Sequence, residues 1–121
     1  MGLAETFSGN LIVSGYHKGV TDFGGITEVS PDNELFLMEL DRNSGATNWV
    51  TTAGGIGNDD GGPVAIDSMG NIWQAGTTTG TFSVNGMTHQ AVSNADTILV
   101  KWSPSGVAQS VIGFSSSASE I

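Results

Sequence analysis

The chain has 121 residues, with 3 Lys and Arg against 12 Asp and Glu, a formal net charge of −9 and no Cys. So few cations cannot build the basic face that nucleic acid requires. The absent thiols exclude disulfides, zinc–thiolate centres and a Cys nucleophile, and no apolar run approaches the roughly 20 residues of a spanning helix.

Short apolar runs separated by turn residues follow one another along the chain. In the first half, strands are predicted over 3–7, 11–14, 35–41 and 46–52. In the second half, 64–67 is an apolar run stopped by Ser68-Met69-Gly70-Asn71, and 72–75 returns to Gly76. After polar residues, 81–84 alternates, 97–102 is a strong β-branched run, and Ser103-Pro104-Ser105-Gly106 turns into a final strand over 107–114. Runs of this length joined by Gly-containing turns predict antiparallel hairpins. No sustained helical period is present, so the fold class is all-β.

The two halves are copies. At an offset of 61, Gly9-Asn10 falls on Gly70-Asn71, Gly15 on Gly76, Gly25 on Gly86 and Ser44-Gly45 on Ser105-Gly106. Glu34 meets Asp96 one residue later, so the first copy carries one extra residue in the turn over 41–45. The units are 1–61 and 62–121, and four strands per tandem unit is the pattern of a propeller blade.

The motifs carry a resemblance. Gly54-Gly55-Ile56-Gly57-Asn58-Asp59, Val64-Ala65-Ile66-Asp67-Ser68, Gly70-Asn71-Ile72-Trp73 and Asp96-Thr97-Ile98-Leu99-Val100-Lys101-Trp102-Ser103-Pro104-Ser105-Gly106 together are similar to the bacterial seven-bladed β-propeller repeat. Glu34 to Asp41 and Gly45-Ala46-Thr47-Asn48-Trp49-Val50 resemble the later strands of the same unit. Glu39 stands where that family favours Lys, and Ser110 stands where Trp49 stands in the first copy. The resemblance implies a scaffold with no fixed catalytic set.

Two blades do not close a ring, and stacked units generally need three or more copies. Three routes follow: a piece of a longer propeller, three chains giving six blades or four giving eight, or two sheets packed as a sandwich. A homo-oligomer, trimeric or tetrameric, is expected.

Candidate site residues are few. Asp59, Asp60 and Asp67 could offer oxygens to Ca²⁺, as could Asp32 and Glu34, but the spacing is not that of an EF-hand. The stretch from Gly57 to Gly62 reads as a turn in which Asn and Asp cap backbone groups. His17 and His89 are expected in exposed loops, with no nucleophile elbow near either. Tyr16, after Gly15, is the aromatic expected to be exposed, and with His17 and His89 it forms the candidate ligand-binding set. Trp73 and Trp102 are expected in strand packing. The expected activity is non-enzymatic: a scaffold or binding module for a protein or a glycan, with a lectin-like module or a piece of a larger propeller enzyme as alternatives. No signal peptide is read at the start, and the acidic, Lys-poor composition leans toward an extracellular or cell-surface setting.

Overall fold

The computed structural model describes residues 2–55, 57–91 and 96–114. The chain is all-β. The first half forms β1 (Gly2–Glu5), β2 (Leu11–Asp22), β3 (Thr27–Leu40) and β4 (Thr47–Ala53). The second forms β5 (Asp59–Ile66), β6 (Ile72–Thr78), β7 (Thr81–Val84), β8 (Met87–Gln90), β9 (Asp96–Trp102) and β10 (Ala108–Phe114). Two four-stranded antiparallel sheets result, in the orders β1-β2-β3-β4 and β5-β6-β9-β10, with β7 and β8 as a separate hairpin. Among the described residues, no helix is long and apolar enough to cross a membrane.

The sheets share one pairing scheme. Glu5 pairs with Leu11 as Ile66 pairs with Ile72. Leu11 pairs with Leu40 as Ile72 pairs with Trp102. Leu40 pairs with Thr47 as Trp102 pairs with Ala108, and both of these ladders slip by a bulge beside that pair. The turns agree as well. Gly45 N–H donates to Asp41 O at 2.8 Å, and Gly106 N–H donates to Ser103 O at 3.0 Å. Both glycines hold positive φ, 75° and 86°, a conformation that L side chains resist.

Several local expectations change. Residues 6 and 7 belong to a turn rather than to the first strand, because Gly9 N–H closes back onto Thr6 O. β2 and β3 continue past 14 and begin before 35, forming an arm in which Val20 pairs with Val29 beyond a bulge at His17–Gly19. The second copy replaces that arm with the β7–β8 hairpin, turned on Asn85 and Gly86, both at positive φ. Asp59 and Asp60 lie in β5 rather than in a turn, paired with Thr78 and Thr77.

The sheets pack face to face around Ile12, Leu35, Leu37 and Ala53 on one side and Ile72, Ile98, Val100 and Trp102 on the other, with Phe82 of the hairpin closing the cluster. Gln74 bridges them: its Nε2 donates to Ser14 Oγ at 2.7 Å and to Phe36 O at 3.0 Å, and its Oε1 accepts from Trp102 Nε1 at 3.0 Å. Gly61 permits this close approach, since a Cβ there would lie 2.7 Å from Gly15 O and from Ser14 Oγ. Trp102 is fully buried, as expected, whereas Trp73 is half-buried and lies under the Lys101 ammonium, 5.5 Å from its ring centre.

The packed faces are not equivalent. Moved by the repeat offset, Ile72, Gln74, Ile98, Val100 and Trp102 fall on Leu11, Val13, Phe36, Met38 and Leu40. Strand alternation puts those residues on the outer face of the first sheet, where Phe36 and Met38 pack with Phe23 in a second cluster. Ile12, Ser14 and Leu37 fall on Trp73, Ala75 and Leu99, on the outer face of the second sheet.

Candidate functional site

The polar groups concentrate at one end of the sheet pair. Asp59, Thr78 and Asp96 sit side by side across β5, β6 and β9, and each is at most 1% exposed. Such burial of carboxylates is costly unless they are hydrogen-bonded. Asp59 Oδ2 accepts from Gly55 N–H at 3.2 Å, and Asp96 Oδ2 lies 2.8 Å from His89 Nε2.

The first sheet adds a second acid–imidazole pair. His17 and Glu34 are cross-strand partners on β2 and β3, with Nε2 and Oε1 3.7 Å apart. That is an ion-pair separation when the ring is protonated and too long for a hydrogen bond. His17 Nδ1 is 3.2 Å from Thr21 Oγ1, and the ring meets Phe23 edge-on at 5.3 Å. Glu34 within β3 and Asp96 at the start of β9 occupy equivalent positions in the repeat, and each acid meets a histidine. The histidines arrive by different routes: His17 from the neighbouring strand, His89 from the β7–β8 hairpin.

The two halves of this polar end meet at Gly54. A Cβ there would lie 2.7 Å from Asp59 Oδ2 and 2.9 Å from Glu34 Cγ. Burial pushes the Asp59 carboxyl above its ordinary range; the hydrogen bonds from Thr78 and Gly55 pull the other way, and the Glu34 and Asp32 charges add to the rise. Asp59 Oδ1 and His17 Nε2 are buried without a hydrogen-bond partner.

Beside this cluster, Gly15, Tyr16, His17, Lys18, Thr21 and Asp60 line a cavity of about 480 Å³. That volume falls in the range of small-molecule pockets. Tyr16 is exposed as expected, but it stands on β2 rather than in a loop. His17 is buried, contrary to the exposed-loop expectation, because Phe23 and Glu34 cover it. His89 likewise lies in a strand, on Asp96, away from Tyr16.

The three aspartates considered for Ca²⁺ do not gather. Asp59 and Asp67 bracket the length of β5, roughly 25 Å of extended chain. Asp67 caps the β5–β6 turn instead. Its Oδ1 accepts from Met69 and Asn71 N–H at 2.9 and 3.0 Å, and its Oδ2 accepts from Trp73 Nε1 at 2.9 Å. The Trp73 bond leads the causes that hold this carboxyl below its usual range. Among the described residues, no group of three His, Asp or Glu side chains is placed to hold a metal ion. Sequence reasoning missed Thr78 and Asp96 as members of the polar end; the alignment of Asp96 with Glu34 was the available signal. Comparison with protein-family models and with curated proteins finds no match for the chain.

Proposed function

We propose that this protein is a non-enzymatic repeat scaffold, built of propeller-like blades, that assembles with copies of itself and presents a binding surface. One observation carries the reading: the two repeats stack through opposite faces. A pair related by a twofold axis would bury the same face of each sheet and finish there. Head-to-tail stacking leaves one face of each kind uncovered, so the arrangement is open to extension. Three chains give six blades and four give eight.

The polar end supports a binding role over a catalytic one. His89 Nε2 is held on Asp96 at 2.8 Å, and His17 is buried beside Glu34 and Phe23. The cavity by Tyr16 combines an aromatic face with the Lys18, Thr21 and Asp60 side chains, a lining suited to a polar ligand of a protein or glycan. Repeated in an assembly, weak sites of this kind gain avidity. Native mass spectrometry tests the reading. A trimer or tetramer of the intact chain is expected; a well-folded monomer at micromolar concentration overturns it.

A further inference from the structure

We infer that the cavity beside Tyr16 takes a small zwitterion of the α-amino-acid class, carrying an ammonium, a carboxylate and an apolar side chain. This rests on the binding role proposed for that cavity and adds the chemistry of its ligand; it does not depend on self-assembly. The cavity opens where β2 outruns its neighbour. β1 ends opposite Ser14, so from Gly15 onward β2 has a strand on one side only. Into that space comes β5 of the other repeat, brought close at Gly61, where a Cβ would lie 2.7 Å from Gly15 O. Asp60 thereby joins Tyr16 and Lys18 in the lining of about 480 Å³, and the site needs both repeats.

The fold does not require these side chains. At the repeat offset, Gly15-Tyr16-His17-Lys18-Gly19 falls on Gly76-Thr77-Thr78-Thr79-Gly80. Three threonines fill the same stretch in the second copy, with the same exposed, buried, exposed order. His17 has a structural role, buried beside Phe23 and Glu34. Tyr16 and Lys18 have none: both are exposed, and among the described residues neither they nor Asp60 makes a side-chain hydrogen bond or an ion pair. Lys18 is one of three cations in the chain. The other two are engaged, Arg42 against Gly9 and Lys101 over the Trp73 ring.

Thr21 Oγ1 is taken up by His17 Nδ1, 3.2 Å away, which leaves Tyr16, Lys18 and Asp60 to choose the ligand. Lys18 and Asp60 supply one charge of each sign. A ligand with a single charge pairs one of them and strips water from the other without pairing it. A neutral sugar meets both only through hydroxyls. A zwitterion pairs both: its ammonium donates to the Asp60 carboxylate, the Lys18 ammonium donates to its carboxylate, and its apolar side chain lies on the Tyr16 ring.

The test pairs each charge of the ligand with its residue. Amide NMR shifts follow titration of the chain with L-phenylalanine, with phenylethylamine, which lacks the carboxylate, with 3-phenylpropionate, which lacks the ammonium, and with methyl glucoside. Phenylalanine is expected to bind about tenfold tighter than either one-charge analogue. Lys18→Met is expected to abolish the preference over phenylethylamine and keep that over phenylpropionate; Asp60→Asn is expected to do the converse. Tyr16→Ala should weaken all three aromatic probes, and unchanged circular dichroism shows that each variant is folded. Analogues that bind as well as phenylalanine, or preferences that survive both variants, overturn the zwitterion and leave the binding role standing. Binding of the glucoside without the aromatic probes replaces the zwitterion with a glycan. No response to any probe at millimolar concentration overturns the zwitterion, and native mass then decides the assembly reading separately.

Discussion

Gln74 is the place to test the packing between repeats. It is fully buried and makes three hydrogen bonds, to Ser14 Oγ, to Phe36 O and from Trp102 Nε1. Gln74→Leu keeps the approximate volume and removes all three. At about 1 kcal/mol net for each bond, with the stranded indole N–H adding about 1–2 kcal/mol, the loss is roughly 3–5 kcal/mol. For a domain of this size that lowers Tm by roughly 12–20 °C. Urea denaturation of wild type, Gln74→Leu, Trp102→Phe and the double variant closes a double-mutant cycle. Phe has no N–H to strand, so the double variant should cost about 1–3 kcal/mol less than the two single costs added together. A Gln74→Leu cost under about 1 kcal/mol, or additivity within about 0.5 kcal/mol, refutes the argument that the bridge satisfies an otherwise stranded buried indole.

Asp59→Asn should stabilise the protein progressively as pH rises. The folded-state pKa of Asp59 is raised by burial, so the wild-type carboxyl is accommodated best when protonated, below its unfolded value near 3.8, and that contribution is lost as pH climbs through the raised value. The Tm difference between variant and wild type should be smallest at about pH 3.5, widen above it and then level off; a constant difference across the range counts against the desolvated carboxylate. Gly106→Ala should destabilise more than Gly45→Ala at the equivalent turn position. Both glycines hold positive φ, worth about 1 kcal/mol for Ala, but only at Gly106 would the new Cβ meet a ring, 2.7 Å from Trp49, whereas Gly45 has nothing within 4 Å. Equal melting temperatures for the two variants would remove the Trp49 contact from the account.

The sequence carried what is local and withheld what is remote. Turn glycines such as Gly70 and Gly106 were legible because positive φ leaves little choice of residue. The repeat was legible because those glycines recur in register. The early part of β3 was not, since Pro31-Asp32-Asn33 carries the composition of a loop and is carried in the strand by the pairs on either side of it, Ser30 with Gly19 and Glu34 with His17. β8 was missed although Asn85-Gly86 between Val84 and Met87 is a strong two-residue hairpin signal. The burial of His17 depends on Phe23 and Glu34, which no window around residue 17 reveals as its cover. Likewise, Asp59 reads as a turn residue until Gly76 allows β5 and β6 to close, where a Cβ would otherwise lie 2.3 Å from Asp60 O.

A duplicated meander carries a kinetic hazard. Every sheet ladder joins neighbours in the chain, apart from β6–β9, which spans the inserted hairpin. Short closures of this kind let each sheet form early from its own strands. The same duplication offers wrong partners, because β3 can meet β6 in the register it uses with β2, in one chain or between two. The divergence at the packed centre acts as an editing step. A swapped β6–β3 pair places Gln74 opposite Met38, a strand away from the Trp102 indole that satisfies it, and the stranded amide sends the pairing back toward its own repeat.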